Sequence, residues 1–186
     1  MKNTMQDGNR NTEDPEYFIS PSRGKRDFFQ VVDDVVEFIN EDSKSKYAVV
    51  VGTDSEGLTQ ANGRPGIAEF VSVVTVHRVG KHGRFFWKRM SGVVTYDRHD
   101  RMLKEASFSL ELAQRVVAQL RGKLSDDKYE FEIHLDIGQN GPTKIMIQEI
   151  VGMITGSGFK AKIKPDSYAA NKVADRYVQT SRTFRA

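Results

Sequence analysis

Two acids sit where strands end, and a third sits on the inner face of a helix; together such carboxylates bind divalent cations. Asp54 follows the apolar run Tyr47-Ala-Val-Val-Val51 in the sequence Gly52-Thr-Asp-Ser55. Asp136 lies near the end of an alternating segment, Tyr129 to Ile137, where Glu130, Glu132, His134 and Asp136 share one face. Like charges placed close together repel, so each carboxyl has its pKa raised unless a cation lies between them. Mg²⁺ and Mn²⁺ are hard ions that take carboxylate oxygens together with water or phosphate oxygens. Each acid also has a plain structural role open to it, since Asp in Thr-Asp-Ser or before Ile-Gly turns a chain.

The helical segment Arg98 to Leu120 supplies the third acid. On a helical wheel, Met102, Ala106, Ala113, Val116, Val117 and Leu120 form an apolar face, and Glu105 falls about 60° from its centre. An acid on a buried face needs a partner or a metal. Glu111 falls on the polar side with Lys104 and Arg115 and reads as solvated. In the last helical segment, Val173, Ala170 and Tyr177 define the apolar side; Asp175 is off it, which suits a solvated acid. Asp166, just after Pro165, is the alternative, with helix capping as its plain role.

The elements that must position these acids follow from periodicity. Residues 1–24 are polar and rich in turn formers (Gly8, Asn9, Pro15, Pro21, Gly24), so residues 1–17 are expected to be a flexible tail and most of 1–24 to lie outside the fold. From Asp27, a plausible N-cap, to Asn40, apolar residues recur at helical spacing. The unalternating run 47–51 reads as a strand covered on both faces. After a loop with Asn62-Gly63, two β-branched strands at about 67–79 and 84–94 join through Gly80-Lys-His-Gly83. Then come the helix to Leu120, the strand 129–137, a helix opened by Pro142, the short strand 159–164 and a last helix over about 168–178. Three antiparallel strands followed by helix-linked ones predict an α/β fold with a five-stranded mixed sheet of order 3-2-1-4-5, helices on both faces and an N-terminal helix. In that order Asp54 and Asp136 stand side by side at a topological switch point, where open α/β sheets bind ligands. The domain is expected over 18–180, with 181–186 frayed.

Composition bounds the rest. The 186 residues are 38% hydrophobic and 28% charged, with 11 Phe and no Cys, which excludes disulfide scaffolds, thiolate metal sites and cysteine nucleophiles. No apolar run is long enough to span a membrane, and the polar N-terminus has no signal-peptide core, so a cytoplasmic location is expected. Net charge is +3 but unevenly placed: residues 1–45 carry 10 acidic and 6 basic side chains, residues 158–186 carry 2 acidic and 7 basic. A basic C-terminal end suits a phosphate-rich partner, and it equally suits ordinary surface scatter. Of His77, His82, His99 and His134, none pairs at a helical metal spacing; His134 shares a face with Asp136, and its plain role is a partner within the sheet. Phe85, Phe86 and Trp87 sit on one strand, where core packing outweighs base stacking as a role.

The sheet order, with Asp at the first covered strand, Glu in the following helix and Asp at the fourth strand, resembles the ribonuclease H-like fold. The closer resemblance, over about residues 18 to 178, is to the bacterial YkuK-type ribonuclease H-like family. It is carried by Val51-Gly-Thr-Asp-Ser55, Glu105-Ala-Ser107, His134-Leu-Asp-Ile-Gly138 and Lys162-Ile-Lys-Pro-Asp-Ser-Tyr-Ala-Ala170 followed by Ala174-Asp-Arg-Tyr177. Asn171-Lys-Val-Ala-Asp175 is similar to the Asn-x-x-Ala-Asp start of the final helix in ribonucleases H, where that Asp is the fourth metal-site acid. The chain departs from the pattern in lacking Arg-x-Glu-Leu around the helix glutamate; Glu111-Leu112 matches the Glu-Leu pair but faces the wrong way.

The resemblance implies a Mg²⁺- or Mn²⁺-dependent nuclease with two ions, Asp54 and Asp136 holding them and Glu105 and Asp175 completing the ligand set. It implies a nucleic-acid partner, with Lys160, Lys162, Lys164, Lys172 and Arg176 attracting backbone phosphates. The alternative is a non-catalytic nucleic-acid or protein binding module that keeps the fold. Oligomeric state and the choice of RNA, DNA or hybrid are left open.

Overall fold

The computed structural model describes residues 16–57, 64–137, 144–174 and 177. The N-terminal tail before Glu16, the Asn62-Gly63 loop, the turn with Pro142, Asp175, Arg176 and the stretch 181–186 lie outside the described residues, as does the side chain of Lys172. The elements are β1 (Tyr17–Ser20), β2 (Gly24–Asp27), α1 (Phe28–Asn40), β3 (Tyr47–Gly57), β4 (Gly66–Arg78), β5 (Gly83–Thr95), α2 (Arg98–Leu120), β6 (Tyr129–His134), α3 (Lys144–Gly156), β7 (Lys160–Lys162) and a π-helix, Ala169–Ala174. They build one mixed sheet of order β2-β1-β5-β4-β3-β6-β7.

This corrects the expected architecture. The sheet has seven strands rather than five, so the order changes as well: a hairpin from residues 17–27 is added beyond β5, and the five anticipated strands make up the contiguous run β5-β4-β3-β6-β7 that ends at the other edge. Proline, glycine and charge made the hairpin look like tail. Its ladder is nonetheless satisfied by β1–β2 pairing and by Ile19 opposite Trp87 on β5. Phe18 is fully buried beneath it. The two helical faces are unequal too. Residues of α1, α2 and α3 share one core with Val49, Val51, Val74, Phe86 and Ile133, which alternate onto a single face of the sheet. On the other face a smaller cluster packs Ala174 of the π-helix on Val71 and Val73.

Local chemistry accounts for the element ends. Asp27 caps α1: its carboxylate accepts from the Gln30 backbone N–H at 2.9 Å, and the Gln30 side chain accepts from the Asp27 N–H at 3.0 Å. Two orphan donors are thereby satisfied reciprocally. Asp27→Ala is expected to cost about 1 kcal/mol, read as a fall of about 2–4 °C in the unfolding midpoint; an unchanged midpoint would show that the cap contributes nothing. In β5, Ser91 and Gly92 together oppose Glu69 of β4, and Gly92 takes the positive φ of 78° that this bulge requires.

The β3–β6 pair sets the site. β3 runs antiparallel to β4 and parallel to β6, from Tyr47 opposite Tyr129 to Gly52 opposite His134. β3 does not stop at Val51. Pairing with β4 carries it through the polar stretch to Gly57, helped by a buried Thr53–Ser72 side-chain hydrogen bond of 2.8 Å. Asp54 is therefore within a strand rather than in a turn after it.

Candidate functional site

Alternation along β3 decides which way each polar residue faces. Asp54 shares the π-helix face with Val71, its partner on β4, while Ser55 pairs with Phe70 on the α-helical face. Continuing the β3–β6 register two residues past its last rung sets Asp136 level with Asp54. Leu135 and Ile137 belong to the main core, so Asp136 between them faces the same way as Asp54. α2 then brings Glu105 against the rim of β3.

Glu105 is 8% exposed, and its carboxylate accepts from the Ser55 hydroxyl at 2.5 Å. Burial pushes its pKa up to about 8; the Ser55 hydrogen bond and Arg101 act against this, while the charges of Asp54 and Asp136 add to it. Three carboxylates from three separate elements are thus within electrostatic reach at one corner. Glu111 is exposed, in keeping with its polar side of the wheel. Asp54 also hydrogen-bonds locally, accepting from the Ser55 backbone N–H at 2.9 Å.

Asp136 is differently engaged. Lys164 Nζ lies 2.6 Å from its Oδ1, and its side chain is 24% exposed against 46% for the lysine. That oxygen is buried and accepts no aligned hydrogen bond, so the contact is an ion pair alone. A carboxylate oxygen without an aligned donor, with two further carboxylates in electrostatic reach of one another, is of the ligand type that hard divalent ions take. Among the described residues no group of three or more His, Asp or Glu side chains is arranged so that it could hold one. Asp175 is not among them.

The expected phosphate-attracting lysines have acidic partners of their own. Lys160 pairs with Glu130 at 3.2 Å and with Glu132 at 3.0 Å, and Lys162 with Glu132 at 2.8 Å. Burial opposes charge on Glu132, but hydrogen bonds from Lys162, His134 and Lys160 hold it at about 2. His134 is fully buried, and burial lowers its pKa against the pull of Glu132. Its Nδ1 accepts the backbone N–H groups of Tyr168 and Ala169 at 3.1 and 3.4 Å, so Nε2, 3.0 Å from Glu132, carries the proton. His134 therefore acts as a satisfied partner that anchors the start of the π-helix to β6. Trp87 stacks on Tyr177 with centroids 4.5 Å apart, consistent with packing. A cavity of about 690 Å³ opens at the opposite end of β3 and β6, bordered by Lys46, His77, Lys162 and Tyr168, and includes none of the clustered acids.

Two of these contacts were outside the reach of sequence reasoning. Ser55 as partner of Glu105 and Lys164 as partner of Asp136 each join residues from different elements, and no spacing signal marks either. No helix among the described residues is long and apolar enough to cross a membrane.

Comparison with known proteins agrees with this architecture. A family model described as Ribonuclease H-like matches residues 30–179. The chain is 34% identical over 177 residues to the uncharacterized protein YkuK of Bacillus subtilis (strain 168), covering 87% of this chain and 96% of that protein. No solved structure matches it. With Asp54 on β3, Asp136 just past the end of its parallel neighbour β6 and Glu105 on α2 between them in sequence, the chain belongs to the ribonuclease H-like family, in the branch that includes YkuK.

Proposed function

We propose that this protein is a divalent-metal-dependent nuclease that hydrolyses phosphodiesters in nucleic acid. The observation that carries the reading is the convergence on one corner of Asp54, Glu105 and Asp136, close enough that the charges of the two aspartates help hold the glutamate near pKa 8. Family membership supports a nucleic-acid-related function. A bound pair of Mg²⁺ or Mn²⁺ ions supplies activation of water and neutralisation of the leaving oxygen. The chain's own part is positioning. Asp54 and Asp136 hold cations on one face of the sheet. Glu105 gives up its proton as positive charge arrives, and the Ser55 hydroxyl keeps its carboxylate aimed at the rim. Asp175 completes the ligand set on the resemblance of Asn171-Lys-Val-Ala-Asp175. Lysines of β7 and beyond, with Lys172 and Arg176, draw the phosphate backbone.

The non-catalytic binding module is the second reading, and the Lys164–Asp136 ion pair is what favours it. One experiment separates the two. Purified protein with Mn²⁺ is incubated with labelled single-stranded, duplex, hybrid and branched substrates. Metal-dependent cleavage that EDTA abolishes supports the nuclease; binding without cleavage across the whole panel supports the module.

A further inference from the structure

We propose that Lys164 is a tethered cation that shares Asp136 with the divalent ion, so that metal binding must displace its ammonium group. The inference rests on the reading of Asp136 as a metal ligand and adds a control on that site. Three lysines alternate along the last strand and just past it, and they are not equivalent. Lys160 and Lys162 converge on Glu132, whose side chain is 4% exposed and is also bonded to His134. That arrangement is buried on the acid side and hydrogen-bonded, so it stays closed. Lys164 alone reaches the corner that holds the clustered acids.

Its pair with Asp136 is built to open. The backbone fixes where Lys164 starts: its N–H donates to the Ile137 carbonyl at 3.0 Å, one residue beyond Asp136. The side chain is nearly half exposed, and the 2.6 Å contact lacks hydrogen-bond alignment. An ammonium so placed neutralises Asp136 by charge without the directional bonds that would hold it there. A divalent ion offers twice the charge and takes oxygen ligands directly, so it wins the oxygen at a modest cost in affinity. The freed ammonium stays on its stem at the rim of the site, within reach of an incoming phosphate oxygen.

The test is calorimetric titration of MnCl₂ into the full-length, metal-free protein at one pH and ionic strength. Wild type is compared with Lys164→Met, Lys164→Arg and Lys160→Met. Losing a competitor in a half-exposed ion pair lowers the Mn²⁺ Kd about two- to fivefold in Lys164→Met. Lys164→Arg and Lys160→Met keep the wild-type Kd. Equal binding by wild type and Lys164→Met overturns the inference and leaves the metal site standing. The same gain in Lys160→Met also overturns it, because general charge would then be the cause. Absence of Mn²⁺ binding in every variant overturns it together with the metal site itself.

Discussion

Asp136→Asn is expected to lower Mn²⁺-dependent cleavage on the order of a thousandfold. Metal-borne charge stabilisation is worth several kcal/mol, and each loss of about 1.4 kcal/mol is tenfold in rate. The amide keeps the size of the side chain and removes the charge that a cation needs. The fold is expected to survive the change. Only the half-exposed contact with Lys164 is lost, and such pairs contribute about 0–1 kcal/mol. The midpoint of thermal unfolding should therefore move by no more than about 4 °C. The two measurements belong together: loss of cleavage with an intact midpoint assigns Asp136 to the chemistry, whereas full cleavage by Asp136→Asn removes it from the site.

The second large effect is on stability against pH. In the metal-free protein, Glu105 titrates near 8 when folded and near its ordinary 4.5 when unfolded. Between those values the folded state retains a proton that the unfolded chain has released. Stability from this group is thus full below about pH 4.5 and is lost as pH rises through about 8. The whole change is on the order of 4–5 kcal/mol, taking about 1.4 kcal/mol per pH unit of separation. Two other groups run the opposite way. His134, lowered from 6.5, weakens the fold as pH falls below that value, and Glu132, held near 2, does so only below about 4.5. Glu105→Gln removes the first contribution and leaves the other two. Urea unfolding in EDTA from pH 5 to 9 should therefore give curves that diverge, the glutamine variant becoming the more stable of the two towards pH 8. Parallel curves would mean that Glu105 is ionised in the folded protein throughout.

What could be seen in the sequence was what periodicity encodes. Alternation over 129–137 put Glu132, His134 and Asp136 on one face, and the helical wheel turned Glu105 inward and Glu111 outward, as in the structure. The capping role of Asp27 was legible because its partner lies three residues away. The hairpin at 17–27 was not: β1 is only four residues long, β2 is polar, and the strand that docks the pair, β5, meets Ile19 through Trp87, some seventy residues distant. The length of β3 was hidden for the same reason: Gly-Thr-Asp-Ser has weak strand preference of its own, and the β4 ladder overrides it. Side-chain partners such as Ser55 with Glu105, 50 residues apart, are set by packing and carry no local signature.

The two outer strands of the sheet have a consequence for how the molecules behave in a crowd. β2, Gly-Lys-Arg-Asp, has four residues and β7, Lys-Ala-Lys, has three. Each leaves a row of backbone groups that a neighbouring chain would otherwise find and extend. So short a row offers little to bind. Among the described residues, the architecture thus ends its sheet on two strands too short to seed growth into ribbons and aggregates.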